Sequence, residues 1–339
     1  MMKSIQTLLS ATRFLWVPLI LGSLILAGCT DENSIVDPLN QPPAGVNDEQ
    51  SAMKYYAANE EFSSNTDQTM NDGEMYPADY ETIGKVSADI TPLRFGRFIR
   101  SITRTVEVTI EPGDTFAVAV VTKDIYGVFK IRGINGDDDT VTVEKEFHDR
   151  AMRKVVFKRL ARDPDTYWRN WIPVASTIVV GGTVEPNNNI EIVKSELFLP
   201  NGDTIVVTDP LQHFLRYRWE RLLGAIGMIL GHDRPPVPEL LRGQQLTMRV
   251  TVRSASPDTD LVALRFGCNA FRKHRARMHL VSEQDNGDGT WTRAYEKMWT
   301  VPENRGFFHV AIDAATHGTI FDDTEPYSVS WWGVPYRVF

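Results

Sequence analysis

The sequence predicts an all-β fold in which two antiparallel β-sandwich domains follow a disordered acidic tether. From Phe95 onward, apolar and polar residues alternate with a period of two, which is the spacing of a half-buried strand. Clusters of Gly, Pro, Asn and Asp interrupt this alternation, as turns between strands do. After residue 92, no stretch shows a long apolar face with helical spacing. Together these observations favour hairpins over helices.

Three hairpins follow from the strand–turn–strand pattern. They join residues 102–110 to 115–121, residues 190–199 to 204–208, and residues 278–282 to 290–298. Each pair of strands is separated by a short run containing Gly with Asp or Asn, the residue types that tight turns require. Residues 147–160 fit a strand and a short helix equally well, so that their structure stays open at this point.

The first 28 residues have the layout of a secretion signal. Two positive charges, Lys3 and Arg13, precede an apolar run over residues 14–26. This run is 13 residues long, whereas a helix that spans a membrane needs about 20 apolar residues. The segment is therefore interpreted as a cleaved signal and not as a membrane span.

The residues Leu26-Ala27-Gly28-Cys29 close this segment and resemble the lipobox of bacterial lipoproteins. In that family a peptidase recognises the three residues before the cysteine and cuts there, and the cysteine carries acyl chains such as palmitate. The resemblance implies that Cys29 is lipidated and that the membrane is a partner of the mature N-terminus. Two or three acyl chains, at about 0.8 kcal/mol per buried methylene, make such an attachment effectively permanent.

The residues after Cys29 bear on the membrane to which the protein is sorted. Thr30 is not the Asp that retains many lipoproteins at the inner membrane. The pair Asp31-Glu32 resembles the short acidic signal that directs lipoproteins to the surface of some bacteria. We therefore expect an outer-membrane location, with the cell surface slightly preferred over the periplasmic face.

The chain divides into five predicted parts. They are the lipoprotein signal peptide (1–28), an acidic flexible tether (29–92), a first β-sandwich domain (93–220), a linker (221–242) and a second β-sandwich domain (243–339). The tether is predicted because its apolar content is too low to offset the entropy lost on ordering. The linker is predicted because its prolines can continue neither a helix nor a central strand.

Charge distinguishes the tether from the rest of the chain. Residues 31–80 hold eleven acidic residues and one basic residue, whereas residues 81–339 hold 33 of each. The folded part is therefore neutral, and no nucleic-acid partner is expected. One stretch of the tether, residues 51–62, predicts a short helix that docks on the body. Asn47 or Asp48 is suited to cap its start.

A series of motifs indicates the type of the second domain. Strand-like and turn-like stretches follow one another at 245–252, 286–291, 299–302 and 306–314. This series resembles bacterial immunoglobulin-like and fibronectin-like modules. The resemblance implies a sandwich and no particular activity. The last strand is expected at 327–332 or at 336–339. The first domain resembles no named family, although its alternation suggests a second sandwich.

The sequence shows no motif for a metal, a cofactor or a nucleophile. Cys268 is the only cysteine besides Cys29, so no disulfide is expected, and Cys268 is predicted to be a small buried residue. The seven histidines form no His-Glu-x-x-His pair. The acidic turns at 137–139 and 285–289 fit turn chemistry better than calcium ligation. We therefore expect neither a metal nor a cofactor, and we assign no catalytic residue.

Three tryptophans are candidate binding residues. Trp168 and Trp171 lie in a polar stretch, and an exposed flat ring can stack on a sugar or on a partner protein. Trp331 and Trp332 are adjacent on a predicted strand, so their side chains should point to opposite faces. We select Trp332 as the exposed member of that pair. Burial of these rings in a core is the alternative prediction.

These observations favour binding over catalysis. The expected function is that of a lipid-anchored envelope protein that presents β-sandwich modules for adhesion, for envelope structure or for binding a protein or glycan partner. A polysaccharide-active hydrolase with a divergent site is an alternative, because paired carboxylates cannot be recognised in one sequence. An accessory subunit of an export or assembly machine is the other.

The lipid anchor yields the first testable prediction. Replacing Cys29 by Ala removes the thiol to which the diacylglycerol would be attached, so the Cys29→Ala protein should not incorporate a fatty-acid analogue and should keep the mass of the uncleaved precursor. Metabolic labelling followed by gel fluorescence and mass spectrometry measures both. Labelling of the variant at the wild-type level would show that the anchor is assigned to the wrong residue.

Overall fold

The computed structural model describes residues 43–58, 76–77, 90–216, 237–266 and 274–339. The predicted signal, the lipidation site at Cys29, much of the tether, most of the linker and Cys268 lie outside these residues. Within them, no helix combines the length and the apolar character that crossing a membrane would require.

The described chain is all-β, as predicted, with two short α-helices. The helices are α1 (Glu49–Ala58) and α2 (His317–Phe321). The strands are β1 (Tyr76–Pro77), β2 (Ile90–Ile110), β3 (Phe116–Asn135), β4 (Thr140–Arg159), β5 (Trp171–Thr177), β6 (Val180–Thr183), β7 (Ile190–Phe198), β8 (Thr204–Val207), β9 (Phe214–Arg216), β10 (Glu239–Leu240), β11 (Gln245–Ser254), β12 (Leu261–Phe266), β13 (His274–Arg277), β14 (His279–Asp285), β15 (Trp291–Thr300), β16 (Gly306–Ala315) and β17 (Val329–Val338).

The strands form two sheets. The first sheet has the order β1-β2-β3-β4-β6-β17-β16-β12-β13, with β5 and β9 added beside β4 and β10 beside β17. The second sheet has the order β14-β15-β11-β7-β8. Neighbouring strands among the described residues are antiparallel, except for the short parallel pair of β10 and β17. The arrangement is sandwich-like, in agreement with the predicted fold class.

The second sheet packs on the part of the first sheet that contains β12, β16 and β17. The core between them includes Val250, Trp299, Leu264, Ile312 and Tyr336. Burial alternates along β11 with a period of two, because successive side chains of a strand point to opposite faces. The predicted strands at 245–252 and 306–314 are present as β11 and β16, and the two alternatives for the last strand merge in β17.

Both sheets contain strands from each side of the predicted linker. Strand β7 pairs with β11 along most of its length, so that Ser195 lies opposite Val250. In the first sheet, Trp332 of β17 lies opposite Val180 of β6. The division into domains at 93–220 and 243–339 stays a prediction, because residues 221–236 lie outside the described part of the chain.

Strands β2, β3 and β4 form a long antiparallel meander. Strand β3 alone has 20 residues, which corresponds to a length of about 65 Å at 3.3 Å per residue. The hairpin between β2 and β3 confirms the first predicted hairpin, and its turn places Gly113 at φ +94°. Residues 147–160, for which strand and helix were both open, lie almost entirely in β4.

The first sheet curls until its two ends meet. The Arg275 guanidinium on β13 lies 4.6 Å from the ring centroid of Phe95 on β2, although the two strands are at opposite ends of the sheet. Helix α2 fills the concave side with Ile320 and Phe321. Lys145 Nζ donates to the carbonyl oxygens of Gly318 and Asp322 at 2.6 Å each and so holds the end of α2.

The buried histidine of α2 yields a prediction for stability against pH. Burial lowers the pKa of His317 below 6.5, outweighing the opposite effect of Asp258 and Asp322. Its Nε2 has no hydrogen-bond partner among the described residues. Below pH 6.5 the unfolded chain therefore binds this proton more readily than the native protein does, and the free energy of unfolding should fall as the pH is lowered through that range.

Urea titrations at pH 7.5 and at pH 5.5 measure this effect. The free energy of unfolding of wild type relative to His317→Gln should be lower at pH 5.5, because glutamine has no proton to gain. His213 is a suitable second site, since burial lowers its pKa as well. Parallel pH profiles for the wild type and His317→Gln would contradict the assignment.

Candidate functional site

The predicted binding residues Trp168 and Trp171 are buried, with exposed fractions of 8% and 2%. Trp168 packs with Val46 and Ala52, and Trp171 packs with Met53 and Ala57. Both rings therefore lie beneath α1 and the residues just before it, and this packing holds residues 46–57 against the sheet. The binding role that the sequence analysis gave them stays a prediction.

The carboxylate of Glu49 makes polar contacts that hold the start of helix α1 on the sheet. Glu49 accepts hydrogen bonds from Trp171 Nε1 at 2.9 Å, from Asn170 Nδ2 at 2.6 Å and from both terminal nitrogens of Arg159. The Arg159 guanidinium also bonds Asp114 at 2.7 Å and lies 4.5 Å from the Trp171 ring centroid. The short helix predicted in this part of the tether is thus present and docked on the meander.

The start of α1 fits the predicted cap. Asp48 Oδ1 accepts from the backbone N–H of Ser51 at 2.6 Å. This hydrogen bond lowers the pKa of Asp48, because it favours the charged carboxylate. Asp48 is therefore one of the two residues that the sequence offered for this position, and it makes the capping bond.

The adjacent pair Trp331 and Trp332 points to opposite faces of β17, as predicted. Trp331 belongs to the core on the concave side of the curled sheet. Trp332 packs against the core between the two sheets and is half-buried. Its assignment as a binding residue stays a prediction.

The acidic turns have local partners. Asn135 Oδ1 accepts from the backbone N–H groups of Asp137 and Asp139, at 3.1 and 2.9 Å. Asp285 and Asp288 accept from backbone N–H groups two residues further along the chain. Among the described residues, no group of three His, Cys, Asp or Glu side chains is placed to hold a metal ion. The side chain of Asn135 thus stabilises the first turn, and the carboxylates of Asp285 and Asp288 stabilise the second.

A buried ionic cluster lies where β15 meets the loop before β12. Asp260 accepts from Arg293 Nη1 at 2.9 Å and from Ser254 Oγ at 2.8 Å, and Arg293 also donates to Glu283. Burial raises the pKa of Asp260 to about 6, while Arg293 opposes this rise. Each group already has partners within the protein, so the cluster joins β11, β14 and β15.

A small cavity lies inside the curled sheet. Its volume is about 10 Å³, and Arg265, Arg275 and Asp313 contribute its polar lining. Arg265 and Asp313 form an ion pair at 2.8 Å. A cavity of this size has room for about one water molecule, which is too little for a substrate in this conformation.

The most developed exposed arrangement lies on the convex side of the meander. The ring of Tyr126 on β3 stacks on that of His148 on β4, with centroids 4.1 Å apart and planes inclined by 15°. Tyr126 is 42% exposed. Two ion pairs flank the rings, Asp124 with Arg150 and Arg100 with Glu146. We call these six residues the Tyr126 platform.

The polar groups of the Tyr126 platform orient one another. Asp124 Oδ1 accepts from His148 Nε2 at 3.0 Å and from Arg150 Nε and Nη2 at 2.9 and 2.8 Å. Partial burial raises the pKa of Asp124, but the hydrogen bonds from His148 and Arg150 outweigh burial and bring it below 3.8. The carboxylate is therefore charged at neutral pH.

Sequence reasoning did not find the Tyr126 platform. Tyr126 and His148 are 22 residues apart and become neighbours only through the register of β3 and β4. A signal was nevertheless present, because even-numbered residues of both strands share one face and include Asp124, Tyr126, His148 and Arg150. Reading residues 147–160 as the hairpin partner of β3 would have joined them.

Comparison with known proteins finds no family model and no curated protein that matches this sequence.

The burial of Trp171 yields a prediction for stability. Trp171→Ala removes a large buried ring and leaves the Glu49 carboxylate without its indole donor, so we expect a loss of about 3–5 kcal/mol in the free energy of unfolding. Urea titration measures this loss, and limited proteolysis should show faster cleavage within residues 43–58. Tyr55→Ala is the matched control, because Tyr55 lies on α1 but is 42% exposed. A change below about 1 kcal/mol for Trp171→Ala would contradict the anchoring role.

Proposed function

We propose that the protein is a lipid-anchored envelope protein that binds an external ligand through an exposed surface of its β-sheet body. The anchor follows from the lipobox-like residues Leu26-Ala27-Gly28-Cys29. The Tyr126 platform is the observation that carries the binding role. It offers an open aromatic ring and oriented charged groups on regular strands, and such a surface keeps its geometry without a ligand.

The docking of α1 supports this proposal by fixing where the anchored chain joins the body. Glu49 at the start of α1 bonds Arg159 near the β2–β3 turn. The 20 residues that follow Cys29 up to Glu49 can reach at most about 70 Å. Tyr126 lies ten residues beyond the start of β3 at Phe116, which places it about 33 Å along the strand from that end. The platform is thus set away from the point of attachment.

We further propose that the outer membrane carries the protein, with its body on the cell surface. Thr30 and the pair Asp31-Glu32 support this location. The balance of 33 acidic and 33 basic residues over 81–339 supports a binding partner that is not selected by long-range charge.

The proposal predicts how the full-length lipidated protein behaves on cells. A membrane-impermeant biotin reagent should label it on intact cells, and the Cys29→Ala protein should not be retained at the surface. The purified protein should bind an envelope or environmental ligand without releasing reducing sugar from it. Reducing sugar released in proportion to the protein added would favour the hydrolase instead. Labelling only after the outer membrane is opened would place the body on the periplasmic side.

A further inference from the structure

We infer that the Tyr126 platform binds hexose rings of a neutral polysaccharide. This inference rests on the proposed binding function and specifies its site and ligand class. The platform combines the two contacts that a sugar ring offers, an apolar face of C–H groups and a rim of hydroxyls. Stacking on the tyrosine ring covers the first, and the flanking ion pairs meet the second.

The stacking surface follows from the register of the meander. His148 covers one side of the Tyr126 ring. On the other side, the residue directly opposite on β2 is Ser101, whose side chain is too short to cover an aromatic ring. The second face of the ring therefore stays accessible, in agreement with the 42% exposure of Tyr126. Because its neighbour already holds the ring in place, a ligand would meet it with little loss of side-chain entropy.

The contacts to sugar hydroxyls would use the hydrogen-bonding atoms of Asp124 and Arg150 that the platform itself does not use. His148 and Arg150 donate to Oδ1 of Asp124, and Oδ2 accepts no hydrogen bond from the described residues. Arg150 uses Nε and Nη2 in this pair, which leaves Nη1 for another acceptor. Oδ2 can therefore accept from one sugar hydroxyl, and Arg150 Nη1 can donate to another.

The charge of the platform selects neutral sugars. Two cations, Arg100 and Arg150, stand beside two carboxylates, Asp124 and Glu146, and each cation is already paired. An acidic polysaccharide would find no net positive charge and would approach two carboxylates. A neutral sugar incurs no such repulsion, and its binding should depend little on salt.

Affinity gel electrophoresis of the full-length protein tests this inference. The gels contain a neutral β-1,3-glucan, a mannan or an amylopectin, and alginate represents the acidic polysaccharides. Retardation is expected with at least one neutral polymer, with a change in affinity of no more than roughly twofold between about 0.05 and 0.5 M salt. Tyr126→Ala should lower that affinity about tenfold or more, as loss of a stacked ring at a binding hot spot does.

Two variants control for the ring and for folding. Tyr126→Phe keeps the aromatic face and should bind within about threefold of wild type. Tyr55→Ala removes a tyrosine of equal exposure from α1 and should leave the affinity unchanged. Circular dichroism and urea titration show whether Tyr126→Ala is folded, and His148→Ala, which frees the other side of the ring, gives a second measure of the same site.

Several results would overturn the inference. They are no retardation by any of the neutral polymers, retardation by alginate alone, or neutral-polymer binding that Tyr126→Ala leaves intact. In none of these cases does the proposed function fail with it, because surface labelling and dependence on Cys29 are measured separately. Binding of a protein at the platform would agree with the proposed binding function, but it would contradict the inference that the ligand is a neutral polysaccharide.

Discussion

The buried ion pair between Arg97 and Asp149 connects the parts of the first sheet. Asp149 on β4 accepts from Arg97 Nη1 on β2 at 2.7 Å, from Tyr327 OH at 3.1 Å and from Thr183 Oγ1 on β6 at 3.1 Å. Burial raises the pKa of Asp149, while Arg97 opposes that rise. The Arg97 guanidinium also lies 4.9 Å from the ring of Trp331. Loss of the Arg97 charge would leave the buried Asp149 carboxylate without the cation of this ion pair, which costs about 3–5 kcal/mol.

The Arg97–Asp149 pair stabilises the position of strand β6, because Thr183 on β6 donates to Asp149. Strand β6 pairs with β4 on one side and with β17 on the other, so it links the meander to the sandwich. Gly181 makes the close approach possible, because a Cβ atom there would lie 2.5 Å from the Trp331 ring and from the Arg150 carbonyl oxygen. A larger residue would separate β6 from Trp331 and displace Asp149 from its hydrogen bonds. The curl of the sheet therefore depends on the pairing of β6 with both β4 and β17, and so does the enclosure of α2.

The local sequence pattern was sufficient to predict the hairpins. It was insufficient to predict which strands that are distant in sequence pair with each other. Alternation and turn residues predicted the hairpin of β7 with β8 and that of β14 with β15, because both signals lie within about 20 residues. The pairing of β7 with β11 joins Ser195 to Val250, and no periodicity encodes such a choice of partner. The burial of Trp168 and Trp171 depends in the same way on a helix more than 100 residues earlier, held by Glu49.

The Tyr126 platform shows why a site can lie beyond sequence patterns and still follow from simple physics. Its residues come from three strands, and the antiparallel register alone brings Tyr126 beside His148. Once placed there, the rings and the Asp124 carboxylate fix one another's geometry. The opposite face of the same meander is filled by buried side chains, among them Phe129 and Phe147. A core that holds the strands thus also holds the exposed ring in position, and ordering of the surface contributes little to the cost of binding.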